Sequence, residues 1–210
     1  MRTRLLWHSW TFGYNSRRNV LKTRKEHRET MRDFPVFSIE RVSPEEEPAV
    51  LPHLIHLLQD TVASGASVGF LPPLSTEDAQ HYWSTVFEEV VQNTCVLLVA
   101  REAGQIVGSV QLTLATKPNA QHRAEVQKLF VLSSQRRRGI GRALMQAVEQ
   151  AARDRRRTLL VLDTRQGDSA EQLYRTLGYR EAGVIAGYAQ SATGTFDSTV
   201  IFYKTLSHLE

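Results

Sequence analysis

Between Ala124 and Arg153 the spacing of apolar positions changes once, from a short run to a helical stripe. Val126 to Leu132 is an apolar run with β-branched and aromatic residues, of strand length. A polar turn, Ser133-Ser134-Gln135, and the sequence Arg136-Arg137-Arg138-Gly139-Ile140-Gly141 follow. Ile140, Leu144, Ala147, Val148 and Ala151 then recur at three- and four-residue spacing and share one helical face.

The same patterning predicts the remaining elements. Val36 to Val42 alternates and reads as a first strand. Ser43 stands before Pro44 and three acids as a helix start, and Leu51, Leu54, Ile55, Leu58 and Val62 form a stripe, with Pro52 limiting where the first turn lies. Gly65 to Pro73 reads as a loop, and a second helix runs from Thr76 to about Val91. A meander follows: Thr94–Arg101, a tight turn over Glu102–Gln105, Ile106–Leu114, and a second turn at Lys117–Ala120. Beyond the central helix, Thr158–Asp163 is a buried-type strand, Ser169 caps a short helix stopped by Gly178, and Tyr179–Gly187 and Thr199–Leu206 are two further strands. The order β-α-α-β-β-β-α-β-α-β-β is that of an α/β domain with a mixed sheet and helices on both faces.

The turn before the central helix suits a phosphate. Glycines let the backbone approach a ligand, and the first helical amides have no intrahelical acceptor. The arginines add forked donors. The turn lacks the Gly-x-x-x-x-Gly-Lys-Ser/Thr of a P-loop and the three-glycine dinucleotide fingerprint. On residues alone, a solvated basic helix start is the alternative.

Composition alters this picture in two places. Residues 1 to 32 hold nine Lys/Arg and two Glu, so they carry +7 of a formal net +4 and the remainder carries −3. The folded part is mildly acidic, which argues against a nucleic-acid-binding domain. No continuous apolar stretch follows the first arginines, as a secretory leader requires, and Glu26 and Glu29 interrupt an organellar transit pattern. Residues 1–33 are therefore expected to be a disordered upstream extension, with Met31 as an alternative start, and residues 34–210 the functional domain. A single cysteine, Cys95, excludes an internal disulfide and fits a cytoplasmic protein, and no run is long enough to span a membrane. His53 and His56 lack a third ligand nearby, so no metal is expected.

Arg136-x-x-Gly139-x-Gly141, between the strand Glu125–Val131 and a helix, resembles the acetyl-CoA pyrophosphate motif of the GNAT superfamily of N-acetyltransferases, and element order agrees over roughly residues 36 to 206. Gln172 to Tyr179 resembles that superfamily's second signature. Gly65–Phe70, Ala124–Leu129, Leu162–Thr164 and Phe202–Leu206 resemble a tabtoxin-resistance branch, acetyltransferases that inactivate the active moiety of a β-lactam dipeptide toxin. The resemblance implies a mostly antiparallel sheet with two splayed central parallel strands, 125–132 and 158–163. It implies that Arg136, Arg137, Arg138, Gly139, Ile140, Gly141 and Arg142 hold the acetyl-CoA pyrophosphate, and that the backbone of Leu129, Phe130 and Val131 lies along the pantetheine. Ser67 and Phe70 would line the acceptor site.

Amine acetylation needs a base for the attacking nitrogen, a donor for the thioester oxygen and a proton for the departing sulfur. By resemblance, Glu125 and Asp163 are the carboxylates and Tyr174 the proton donor, with the Val131 amide facing the thioester oxygen. Read as residues alone, Glu125 is also a solvated strand-end acid, Asp163 a turn residue and Tyr174 a packed aromatic. His122 reads as a surface-turn residue and Cys95 as a small buried strand residue. The expected activity is direct transfer from acetyl-CoA to a small amine or amino-acid-like acceptor, a toxin or antimetabolite among the candidates, without nucleic acid or membrane and with a homodimer left open. The alternatives are a protein or peptide acetyltransferase and a non-catalytic acyl-CoA-binding module.

Overall fold

A computed structural model describes residues 37–207, so the basic segment 1–33 lies outside the described residues. In chain order the elements are β1 (Ser38–Arg41), α1 (Glu47–Ala63), α2 (Thr76–Val91), β2 (Cys95–Glu102), β3 (Gln105–Leu114), β4 (Arg123–Val131), α3 (Ile140–Asp154), β5 (Leu159–Arg165), α4 (Ser169–Thr176), β6 (Arg180–Gln190) and β7 (Phe196–Thr205). The seven strands form one sheet ordered β1-β2-β3-β4-β5-β7-β6. Every neighbouring pair is antiparallel except β4 and β5. No helix among the described residues is long and apolar enough to cross a membrane.

The sheet is apolar on both faces, which is why β2 reads as a continuous hydrophobic run. Val96, Leu98 and Ala100 join Leu144, Met145 and Val148 of α3 in one core. Cys95, Leu97 and Val99 join Leu54 and Leu58 of α1 and Trp83 and Phe87 of α2 in the other. Trp83 is fully buried, and its indole N–H donates to the Leu54 carbonyl at 2.9 Å, so α2 is fixed to α1 without a stranded polar group.

Local chemistry sets the element ends. The Ser75 hydroxyl accepts the Asp78 amide at 3.0 Å and starts α2. Ala103 (φ 48°) and Gly104 (φ 79°) make the left-handed pair of a two-residue hairpin turn between β2 and β3. Gly178, at φ 83°, ends α4, with its amide on the Arg175 carbonyl at 3.1 Å and that of Tyr179 on the Tyr174 carbonyl at 3.0 Å.

Four expectations need correction. Pro52 lies inside α1 rather than at its first turn; a 3₁₀ turn over Pro44–Glu46 leads in, and the Glu46 carboxylate accepts the Ser43 amide at 2.8 Å. The N-cap of α4 is Asp168 and not Ser169, and its side chain accepts from Arg165 rather than from the helix. Asp163 does not end its strand, because pairing with β7 carries β5 on to Arg165. The last two strands are displaced from their expected bounds: β6 runs to Gln190 and β7 starts at Phe196.

Two features of the sheet prepare the site. A Cβ on Gly108 would stand 2.8 Å from the Phe130 carbonyl oxygen and 3.1 Å from Leu144 Cδ1, so only glycine lets β3, β4 and α3 meet this closely. In β4 the register against β3 passes from Gln111↔Gln127 to Ser109↔Phe130, an extra residue on β4. Lys128 sits in that bulge at φ 54°, a conformation costing a non-glycine residue about 1–2 kcal/mol. The bulge reverses the alternation: Val126 faces the α3 core before it, and Phe130 faces the α1/α2 core after it.

Candidate active site

Strands β4 and β5 pair only through Arg123–Glu125 and Leu159–Val161. Beyond Glu125 and Val161 they separate, and among the described residues no strand pairs with β4 on that side. Leu129, Phe130 and Val131 lie along the gap. Phe130 is buried and packs edge-on against Trp83 at 6.5 Å, so only its backbone can serve a ligand.

At the mouth of the gap stands the turn before α3. Gly139 is the N-cap of α3 at φ 84°, and a Cβ there would meet nothing within 4 Å. The first intrahelical bond is from the Ala143 amide to the Gly139 carbonyl at 3.0 Å, which leaves the amides of Ile140, Gly141 and Arg142 without helical acceptors. The Ile140 side chain is 1% exposed, part of the core. A Cβ on Gly141 would make ordinary contact with Leu173 at 3.5 Å. A left-handed glycine with open space above it and three free amides fits a phosphate, with the helix dipole adding to the attraction.

The four arginines separate by partner. Arg138 forks onto Glu102 at 2.9 and 2.6 Å and also donates to Gln135. This pairing holds the Glu102 carboxyl below its ordinary range. Its guanidinium is thus committed to the end of β2. Arg136 donates to the Val131 carbonyl at 3.3 Å and to the Ser64 hydroxyl at 2.7 Å. Arg142 donates to Thr176 Oγ1 at 3.0 Å. Arg137, left-handed at φ 62° and exposed, has no side-chain partner among the described residues.

Glu125 of β4 and Asp163 of β5 are both exposed. The structure relates them through a residue that the sequence did not single out, Lys128. Burial pushes the Lys128 ammonium down, while Asp163 and then Glu125 pull it back up. Its Nζ donates to the Val68 carbonyl at 2.6 Å and lies 6.0 Å from the centre of the Tyr82 ring. Asp163 Oδ2 accepts from Thr199 Oγ1 at 2.9 Å. Tyr174 is 6% exposed and lies 5.9 Å, ring centre to ring centre, from both Tyr179 and Phe202. Its hydroxyl is held protonated by burial first, then by the charges of Asp163 and Asp168. Its hydroxyl makes no hydrogen bond among the described residues. His122 is exposed, and its carbonyl accepts from the Thr158 and Leu159 amides at 2.8 and 3.1 Å.

Ser67 and Phe70 line a cleft of about 230 Å³ with Arg165, Gln190 and Asp197. Phe70 is held edge-on to Tyr82 at 5.4 Å. Arg165 donates to Asp168 Oδ1 at 2.8 Å, to the Gly65 carbonyl at 3.1 Å and to Asp197 Oδ2 at 3.4 Å. Glu125 and Asp163 thus stand on the two strands that part, each within electrostatic reach of Lys128, and Asp163 also acts on Tyr174. Lys128, Arg165 and Thr199 were missed; the one signal for Lys128 was a charge inside the run Val126 to Leu132, read as an apolar strand.

Comparisons with known proteins agree with this geometry. Residues 61–179 match the model of the Acetyltransferase (GNAT) family. The chain is 36% identical over 109 residues to the "uncharacterized N-acetyltransferase in hisH-hisA intergenic region" of Azospirillum brasilense, a match covering 51% of this chain and 63% of that one. It thus spans less than two thirds of that relative's length. The ribosomal-protein-alanine N-acetyltransferase of Brucella melitensis superposes with a TM-score of 0.67 at 24% identity, over 80% of this chain and 99% of that one. The structure of yncA from Salmonella typhimurium, with its cofactor acetyl-CoA, superposes with a TM-score of 0.67 at 15% identity, over 83% and 96%. These two likenesses are of fold. A seven-stranded mixed sheet whose one parallel pair opens beside a left-handed glycine turn, together with the family match over residues 61–179, leads to one statement: the chain belongs to the GNAT family of acetyltransferases.

Proposed function

We propose that this chain is an N-acetyltransferase that moves an acetyl group from acetyl-CoA directly to a small amine or amino-acid-like acceptor. One observation carries the reading: β4 and β5 part after Glu125 and Val161, and the gap opens beside the left-handed turn at Gly139. The amides of Ile140, Gly141 and Arg142, with Arg137 beside them, hold the pyrophosphate. The backbone edge of Leu129, Phe130 and Val131 that faces away from β3 holds the pantetheine as an added strand would. Acetyl-CoA supplies an activated acyl group on a thiol leaving group.

The protein supplies proton transfer and placement. Glu125 and Asp163 bind the acceptor ammonium and take its proton, freeing the lone pair that forms the new N–C bond. The Val131 amide faces the thioester oxygen as charge develops there. As the C–S bond breaks, Tyr174 gives its hydroxyl proton to the sulfur, and the second proton that the nitrogen sheds in becoming an amide restores the tyrosine through solvent. A buried, protonated tyrosine suits that role, because it keeps its proton until a thiolate appears.

The cleft beside Ser67 and Phe70, about 230 Å³, favours a small acceptor over an extended peptide. The likeness of Gly65–Phe70, Ala124–Leu129 and Leu162–Thr164 to the tabtoxin resistance protein supports an amino-acid-like acceptor, a toxin among the candidates. The test is a library of amines and amino acids incubated with acetyl-CoA, with release of free thiol as the readout. Acceptor-dependent release is expected; release no greater than without amine, across the library, would overturn the proposal.

A further inference from the structure

Residues 65–72 of the loop joining α1 to α2 form one wall of the cleft. The loop contains Gly65 and Gly69, both at positive φ, and a segment this rich in freedom costs entropy to fix. Three cations from three other parts of the fold hold it by its oxygens. Arg136, which opens the phosphate turn, donates to the Ser64 hydroxyl at 2.7 Å. Arg165, at the end of β5, donates to the Gly65 carbonyl at 3.1 Å. Lys128, in the bulge of β4, donates to the Val68 carbonyl at 2.6 Å.

The last two are built for this. Arg165 is fixed from behind by Asp168, at 2.8 Å, and by Asp197, at 3.4 Å, so its third contact reaches the loop from a rigid base. Lys128 reaches the loop only because the extra residue in β4 turns it to the face of α1 and α2, at the expense of a left-handed backbone. The ammonium is half-buried, and a Cβ on Gly69 would stand 3.3 Å from it, so the loop is closed down on its tip. Among the described residues Lys128 makes no ion pair with Glu125 or Asp163, although both charges act on it. Among the described residues its side chain makes one hydrogen bond, to the loop. Charge-assisted bonds of this kind are about twice as strong as neutral ones.

We propose that Lys128 and Arg165 are positioning residues for the acceptor: they clamp the loop at Gly65 and Val68, so that the acceptor wall stands formed before the acceptor arrives. The proposal rests on the acetyltransferase reading for what the wall receives. It does not rest on it for the clamp itself, which is a property of the free protein. A preformed wall spares the acceptor the ordering entropy of the loop, so loss of the clamp falls on acceptor binding rather than on the chemical step.

The experiment uses the full chain with Lys128→Met and, separately, Arg165→Met. Both keep an unbranched apolar stem and remove the charge. Hydrogen exchange of residues 64–70 is read alongside the acceptor KM, kcat and acetyl-CoA Kd. Expected in each variant are at least tenfold faster exchange in the loop, unchanged protection in β4 and α3, an acceptor KM raised about tenfold, kcat within about threefold and an unchanged acetyl-CoA Kd. Loop exchange unchanged in both variants would overturn the clamp whatever the activity. Faster exchange with an unchanged acceptor KM would overturn the positioning role. If the parent chain acetylates no amine while loop exchange still accelerates, the acetyltransferase reading fails and the clamp stands. Should one variant fail to fold, the other, acting from a different strand, decides the question.

Discussion

Thr199 Oγ1 stands 2.9 Å from Asp163 Oδ2 and 2.9 Å from the Thr164 carbonyl oxygen, on the neighbouring strand β7. The hydroxyl has one proton and two lone pairs, so it can serve Asp163 in either charge state. With the carboxylate ionised, Thr199 donates to it. On the proposed mechanism, an Asp163 that takes the acceptor's proton can donate to Thr199, which turns its own proton to the Thr164 carbonyl. Neither state leaves a buried group unpaired, and Thr199 is 3% exposed. Thr199→Val removes this exchange. Turnover is expected to fall about tenfold, with acetyl-CoA affinity unchanged. Replacing both Glu125 and Asp163 by Ala should lower turnover by about 10²–10⁴ and leave cofactor binding intact. Steady-state kinetics at neutral pH with the cognate amine checks both, and unaltered turnover in the double variant would reject the carboxylates as the base.

Tyr174 separates packing from chemistry. Its ring fills the core beside Tyr179 and Phe202, while its hydroxyl makes no hydrogen bond among the described residues. Tyr174→Phe is therefore expected to keep the melting temperature within a few degrees and to reduce kcat at least tenfold. Tyr174→Ala should cost about 3–5 kcal/mol of stability, since it empties the same site. Equal kcat in Tyr174→Phe and the parent would assign the residue to the core alone.

Cys95 tests the placement of β2. Burial first, then the charge of Glu89, pushes its thiol from 9.0 up to about 12. The folded value lies above the unfolded one, so the neutral thiol favours folding below about pH 9, and that contribution fades as pH rises toward 12. At pH 8 the native protein should resist a thiol-directed reagent and should label fully, once per chain, in guanidinium. Rapid labelling of the native chain would contradict the buried strand.

The sequence made part of this visible because local rules operate undisturbed there. The limits of α2, expected from Thr76 to about Val91, agree with the structure. The turn at Gly139 was legible because a left-handed N-cap selects glycine. What stayed hidden depends on partners distant in the chain. Nothing near Lys128 marks a bulge, since the extra residue is defined only against β3. Thr199 meets Asp163 only because β7 inserts between β5 and β6. Ser169 looked like the cap of α4 although Asp168 holds that position; the Asp168 carboxylate is taken by Arg165, three residues earlier, so no side-chain cap bond marks it. The bond of the Arg138 guanidinium to Glu102, 36 positions earlier, was likewise not legible.

The account depends most on the slot between β4 and β5 with Gly139 at its mouth. Calorimetric titration of the full chain with acetyl-CoA, beside Gly139→Val, tests it directly. At φ 84° valine is strained, and its branches would occupy the open space in which the phosphates are expected. The parent should bind at one site per chain, and the variant should bind at least tenfold more weakly while keeping a cooperative melting transition. Undiminished affinity in Gly139→Val, or no saturable binding by the parent, would contradict the account.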